Sequence, residues 1–307
     1  MTGAIDIDCA DPTLGAAVER WLDEGRLEPP IRLKLEISVG PVDAAAGDGS
    51  RPSFHQPGVT ILSGGSDRRV TISWDSWPAI AELAPGSTTA VVRLSPQAAA
   101  RLDECLRQFM IVVLIFLLRR AGWHHVHGAI TIDPRGRGWL LAGNSRAGKS
   151  TTAALAASRG WAVGTDDIAF LAQSTPDRVE ARAFRTRLAL RPGGEDLLAR
   201  SGGLPLEGRG KVGFWPEELG GSWIAQIEPE VLLFTQIGAG ETTVEPMRPG
   251  DVLAELVRWS AWVALEPELA QGHLDLLSRL GAQARAFRVT LGRDLFDQPD
   301  RLERLVS

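Results

Sequence analysis

Residues 143–150 read Gly143-Asn144-Ser145-Arg146-Ala147-Gly148-Lys149-Ser150, followed by Thr151, and fit the pattern GxxxxGK[ST]. Such a stretch holds phosphate because backbone N–H groups converge on its oxygens at the start of a helix. Gly143 and Gly148 permit the close approach, and Asn144, Ser145, Arg146, Ala147 and Thr151 complete the cradle. Lys149 places an ammonium on the β- and γ-phosphates, and Ser150 offers a hydroxyl to Mg²⁺. Downstream stand two adjacent carboxylates, Asp166 and Asp167, and upstream stands His127. Neighbouring carboxylates repel unless a cation lies near, so the pair points to a metal: one carboxylate to hold it, the other to accept a proton from an attacking hydroxyl. His127 is suited to orient or tune that base.

The chemistry needs a scaffold. Gly138 to Ala142 is an apolar strand-like run before the loop, and Ser150 to Ser158 is an alanine-rich helix-like run after it, the context the pattern requires. Asp133-Pro134-Arg135-Gly136 marks a turn, and Gly160 a helix stop. The run Trp123-His124-His125-Val126-His127 lacks a fourth ligand, and alternation separates His124 from the other two, so zinc is not expected.

Lysine occurs only as Lys34, Lys149 and Lys211, while arginine supplies every other basic side chain. Positions that kept lysine are candidates for needing a compact ammonium, which makes Lys211 a second residue of interest.

Residues 1–95 form a mixed lobe of unassigned function. Leu14–Leu22 has helical spacing, Ile31–Val39 alternates like a half-buried strand, and Val59–Leu62, Val70–Trp74 and Thr89–Leu94 read as short strands. Residues 43–57 read as a loop and Gly64 to Asp67 as a hairpin turn. Residues 96–307 form the second domain. It opens with a helix capped by Ser95 and stopped at Gly122, whose run Met110–Leu118 is too short for a bilayer, which needs ~20 residues; a core helix is expected, with Arg107, Arg119 and Arg120 marking its ends. Later expected elements are strands within 168–171, 179–190, 231–234 and 286–291, and helices within 192–204, 251–263, 274–280 and 298–306.

The chain has 307 residues, 44% of them hydrophobic and 23% charged, which fits a globular protein in solution. A net charge of −5 supplies no basic field for nucleic acid. Cys9 and Cys105 fit no metal spacing and read as free thiols of a reducing compartment, and the N-terminal MTGAIDIDCADP has no secretory pattern. A cytoplasmic protein with no membrane partner is expected.

The segment from His127 to Asp167 resembles the kinase domain of the HPr kinase/phosphorylase family and its looser relatives. The family's HG dipeptide, strand pair, GxSGxGKS loop, helix ending in RG and strand ending in DD correspond to His127-Gly128, Gly143 to Ser150, Arg159-Gly160 and Asp166-Asp167. A similar layout continues through Arg187 to Pro192 and Val289 to Asp294. The resemblance implies an α/β (α+β mixed) P-loop fold of the HPr kinase and phosphoenolpyruvate carboxykinase type, with ATP and Mg²⁺ as cofactors. It further implies transfer of the γ-phosphoryl to a hydroxyl, with a serine of a peptide or protein as the acceptor, as in tailoring kinases of ribosomally made peptides. It gives Asp166 the role of base with His127, and Asp167 with Ser150 the metal; which aspartate does which stays open.

The sequence also departs from the family. Arg146-Ala147 replaces the usual Gly-x, and the downstream ExRGxG signature is met only by Glu207, Arg209 and Gly210, with the last glycine displaced to Gly213. Arg209 and Lys211 are candidates for contact with nucleotide or substrate phosphate. A small-molecule kinase and a non-catalytic nucleotide-dependent switch stay open, as does assembly into homo-oligomers, which the family often shows.

Overall fold

The computed structural model describes residues 4–42, 52–56, 58–63, 68–192, 203–206 and 210–306. By contacts the chain divides into two compact units, Met1–His124 with Trp262–Gln271, and His125–Ala261 with Gly272–Ser307. This division falls elsewhere than the boundary at 95/96. The helical segment after Ser95 groups with the first sheet because its apolar side chains pack there: Trp74 stacks on Phe109 with ring centroids 6.3 Å apart.

The first unit is built on seven strands: β1 (Ile5–Cys9), β2 (Leu33–Val39), β3 (Pro52–Gln56), β4 (Val59–Leu62), β5 (Val70–Trp74), β6 (Ala79–Leu83) and β7 (Thr89–Leu94). Their order is β1-β2-β7-β6-β5-β4-β3; β1, β2 and β7 run parallel and the rest pair antiparallel. Helix α1 (Pro12–Gly25) makes the crossover from β1 to β2, with Asp11 accepting from the N–H groups of Thr13 and Leu14. Strand β3 lies within the stretch expected to be loop; its partner β4 supplies the pairing that local composition does not signal. Residues 64–67, the expected hairpin turn, lie outside the described residues.

The segment after Ser95 is not one continuous helix. Two short helical turns (Pro96–Ala99 and Leu102–Cys105) lead through a π-helical turn, Leu106–Met110, into helix α2 (Ile111–Arg120). Ser95 does cap it, accepting from Ala98 N at 3.1 Å, and Gly122 ends it at φ +81°. Helix α2 is buried from Ile111 through Arg119, and no described helix is long and apolar enough to cross a membrane. Arg119 and Arg120 lie in the last turn of α2, as expected of residues marking the end; Arg119 is 2% exposed and donates to Trp262 O and, at 2.8 Å, Val263 O. Cys9 and Cys105 are free, and burial pushes the Cys105 thiol up to about 12.

The second unit has a ten-stranded mixed sheet. Its strands are β8 (His124–Ile132), β9 (Gly138–Ala142), β10 (Ala162–Thr165), β11 (Ile168–Thr175), β12 (Arg178–Ala183), β16 (Ser222–Trp223), β17 (Gln226–Ile227), β18 (Pro229–Ile237), β19 (Thr243–Pro246) and β20 (Arg285–Leu291). The main order is β17-β12-β11-β8-β9-β18-β20-β19, with β10 pairing β8 and β16. Strands β9, β18 and β20 are parallel, so their C-terminal ends share one edge, where ligands of α/β sheets gather. A separate three-stranded sheet joins β13 (Leu188–Leu190), β14 (Leu204–Leu206) and β15 (Lys211–Phe214). Helix α3 (Lys149–Ser158) is buried along Ala153, Ala154, Leu155, Ala156 and Ala157. Its small side chains let Trp139, Leu141, Trp161 and Phe214 close around it in one core.

Helices α4 (Pro249–Arg258) and α5 (Pro267–Gln283) follow β19, and the terminal helix is a single turn, Arg301–Arg304. Most of the helix expected within 192–204 lies outside the described residues, and Leu204 is in a strand.

Candidate functional site

Strand registers assemble the site. The hairpin β8–β9 pairs Gly128 with Ala142, which sets His127 beside the start of the phosphate loop. Strand β10 runs antiparallel to β8 with Thr165 opposite Ile130, which carries Asp166 and Asp167 to the same end; Gly128 N donates to Asp167 O at 3.2 Å. A register shift between Val163 and Thr165 aims the two aspartates. Gly164 lies in that shift because a Cβ there would meet Ile130 Cγ1 at 2.7 Å and Ile224 O at 2.8 Å. Thr165 was not singled out from the sequence. Its buried hydroxyl accepts from Asp167 N at 3.3 Å and Ile168 N at 3.2 Å, fixing the turn; a threonine just before the pair was the available signal.

The loop from Gly143 to Gly148 leads directly into α3, and no side chain caps that helix. The first N–H groups of a helix have no intrahelical partner, so they face outward as anion donors. A Cβ on Gly143 would meet Thr235 O at 2.7 Å, which explains glycine there. Arg146, standing where the family has glycine, adopts φ +69°, the left-handed region that glycine occupies without strain. Asn144, Ser145 and Arg146 are exposed, while Ala147 is buried under the loop. Lys149 is 5% exposed, and its Nζ donates to Gly143 O at 2.8 Å and Asn144 O at 3.0 Å. Burial lowers its pKa to about 8 against the opposing pull of Asp167 and Asp166; Lys211 adds to the lowering.

The two aspartates occupy different settings. Asp166 is 2% exposed and accepts from Ala189 N at 3.0 Å through Oδ2. Burial raises its pKa, Asp167 raises it further, and hydrogen bonds from Ser150 and Ala189 oppose the rise. Asp167 is partly exposed, with Oδ1 3.1 Å from His127 Nε2. Burial lowers the His127 pKa, the Asp167 charge opposes that, and Lys149 and Lys211 reinforce it. In its neutral form the ring can donate from Nε2 to Asp167. The histidine therefore pairs with Asp167 and the loop serine with Asp166, the other way round from the pairing the resemblance implies.

His124 and His125 are both buried, and the charges of His127 and Asp167 act on His125. Burial lowers their pKa values to about 4 and about 3, and His125 packs edge-on against Phe170. Among the described residues no group of three or more His, Cys, Asp or Glu side chains is placed to hold a metal by itself. Lys211 begins β15, and its charge acts on His127, Lys149 and Asp166. Two residues along, Gly213 pairs with Ala189, the donor to Asp166. Gly213 is needed for packing: a Cβ there would meet Leu206 Cδ2 at 2.8 Å and Arg187 Cβ at 3.0 Å. Glu207 and Arg209 lie outside the described residues. The role of the Ala189 N–H was invisible in the sequence, since any non-proline residue carries the same donor.

The donor set fits a nucleotide with a hard cation. The side chains of Ser150, Asp166 and Asp167 offer only oxygen, the donor type that suits a hard cation such as Mg²⁺, which commonly completes its coordination with phosphate and water.

No protein-family model and no curated protein sequence matches the chain. Among solved structures, it is similar to the Hpr(Ser) kinase/phosphatase from Coxiella burnetii, at 13% identity and a TM-score of 0.32, over 60% of this chain and 93% of that one. The architecture of this chain is mixed α/β with mixed sheets.

Proposed function

We propose that the chain is a phosphotransferase that uses ATP and Mg²⁺ to phosphorylate a hydroxyl, a serine of a peptide or protein. The observation that carries this reading is the convergence of Lys149, Ser150, Asp166, Asp167 and His127 at one sheet edge beside an uncapped helix N-terminus. A phosphate-binding switch needs the loop and lysine alone. It gives no reason for a partly exposed carboxylate backed by a neutral imidazole.

The loop N–H groups and Lys149 hold the β- and γ-phosphates, and the Lys149 ammonium stabilises charge as the phosphoryl group moves. Bound Mg²⁺ neutralises phosphate charge and fixes its geometry. Ser150 and the adjacent buried Asp166 are the residues suited to hold it. Asp167 is the carboxylate an incoming hydroxyl can reach, and it accepts that proton as the oxygen–phosphorus bond forms and the nucleoside diphosphate leaves. His127 holds Asp167 in orientation.

Single-turnover transfer from γ-labelled ATP to a library of serine peptides tests this. Asp167→Asn should lower the rate about 10²–10⁴-fold while leaving Mg-ATP binding near normal, and Asp166→Asn should instead weaken the Mg²⁺ dependence. Near-normal transfer by Asp167→Asn would overturn the base assignment. Binding of ATP by the wild type without transfer to any peptide or polyol would overturn the kinase reading.

A further inference from the structure

The phosphate loop has two flanks. On one side of β9 lie β8 and β10, which carry His127, Asp166 and Asp167. A bound triphosphate that directs its γ-phosphoryl towards those residues must leave its nucleoside on the opposite flank, over β18 and β20. That flank is built as an apolar ledge. Ile237, at the end of β18, is 65% exposed, unusual for isoleucine at a strand end in a packed sheet. It lies against the loop: a Cβ on Gly148 would meet Leu291 Cδ1 at 2.6 Å and Ile237 Cγ1 at 3.6 Å.

The ledge is held rigidly. Gly238 N donates to Leu291 O at 3.0 Å, tying the end of β18 to β20. Thr242 donates to Asp294 Oδ1 from both N and Oγ1 at 2.8 Å, Gly292 N donates to Thr242 Oγ1 at 3.0 Å, and Arg301 pairs with Asp294 at 2.6 Å. Gly292 sits so close to the facing turn that a Cβ would meet Gly240 O at 2.2 Å, and one on Gly238 would meet Thr290 Cγ2 at 2.4 Å. Two glycine turns, 238–242 and 292–294, are thus clamped side by side next to an exposed isoleucine. Thr242 and Asp294 are committed to each other, Glu241 and Arg293 in the same turns are exposed, and Ile237, Gly238, Ala239 and Gly240 bear no hydrogen-bonding side chain.

We propose that this ledge is the nucleobase site, with Ile237 against the face of the purine. The proposal rests on the nucleotide-dependent reading above and deepens it. Ile237 would grip the base through apolar contact with its face, a contact that a phosphate chain without a base cannot make.

Calorimetric titration with Mg-ATP, Mg-GTP and inorganic tripolyphosphate separates this inference from the reading beneath it. Ile237→Asp should raise both nucleotide Kd values by about ten-fold and leave tripolyphosphate, which has no base, within about two-fold of wild type. Ile237→Ala should give a smaller shift in the same direction. Unchanged ATP affinity in Ile237→Asp, or equal weakening of tripolyphosphate, overturns the ledge. Failure of the wild type to bind both nucleotide and tripolyphosphate overturns the phosphate-loop reading itself.

Discussion

Each unit buries charge, and the two do so differently. In the first, Arg119 is 2% exposed and Glu266 4% exposed. Burial lowers the Arg119 pKa, with Glu266 opposing, and the guanidinium is met by the carbonyls of Trp262 and Val263. Glu266 in turn is bound by Arg120 at 2.8 Å. The charges there answer one another. In the second unit Lys149 and Asp166 are as deeply buried, yet Lys149 spends its ammonium on two loop carbonyls and Asp166 faces a like charge in Asp167. Burial of charge alone therefore does not mark a site; burial with partners that leave the charge unbalanced does.

The sharpest way to break this contrast is to remove one charge from each unit. Arg119→Met should destabilise the protein by roughly 3 kcal/mol, because buried carbonyls and part of Glu266 lose their donor. Asp166→Asn should leave stability unchanged or raise it, since the amide oxygen can still accept from Ala189 N while the like-charge repulsion disappears. Urea unfolding of both variants measures this, and a loss for Asp166→Asn as large as that for Arg119→Met would erase the distinction.

A smaller effect should appear in pH dependence. Lys149 is lowered from its ordinary 10.5 to about 8, so between those values the unfolded chain binds more protons and the ligand-free protein gains stability as pH rises. Phosphate reverses the balance by favouring the ammonium. ATP affinity should be level below pH 8 and fall above it, with proton uptake on binding near pH 8; calorimetry in buffers of different ionisation enthalpy detects that uptake.

The smallest effect concerns Arg146. At φ +69° it carries a left-handed strain of about 1 kcal/mol, part of which the greater unfolded-state freedom of glycine cancels. Arg146→Gly should raise stability by roughly 0.5 kcal/mol, read as a small rise in Tm, whereas Arg146→Val should lower it.

Strands whose apolar residues alternate were legible: Val59–Leu62, Val70–Trp74 and Thr89–Leu94 have the bounds their pattern indicates. Strands β1, β3 and β6 were not, because they are short and find their stability in partners such as β2, β4 and β7. Arg119 marks the end of its helix as the sequence indicated, but its burial was not legible, because the carbonyls that receive it belong to the distant residues 262 and 263.

The sequence by itself determined the GxxxxGK[ST] pattern of residues 143–150, because its glycines, lysine and serine stand within one short run. It also singled out Lys211 by the scarcity of lysine. Only the tertiary structure decided that His127 meets Asp167 and not Asp166, that Ala189 donates to Asp166, and that Ile237 stands beside Gly148. Each of these depends on strand registers between segments far apart in the chain, and a one-residue slip in any of them would turn the side chains to the opposite face.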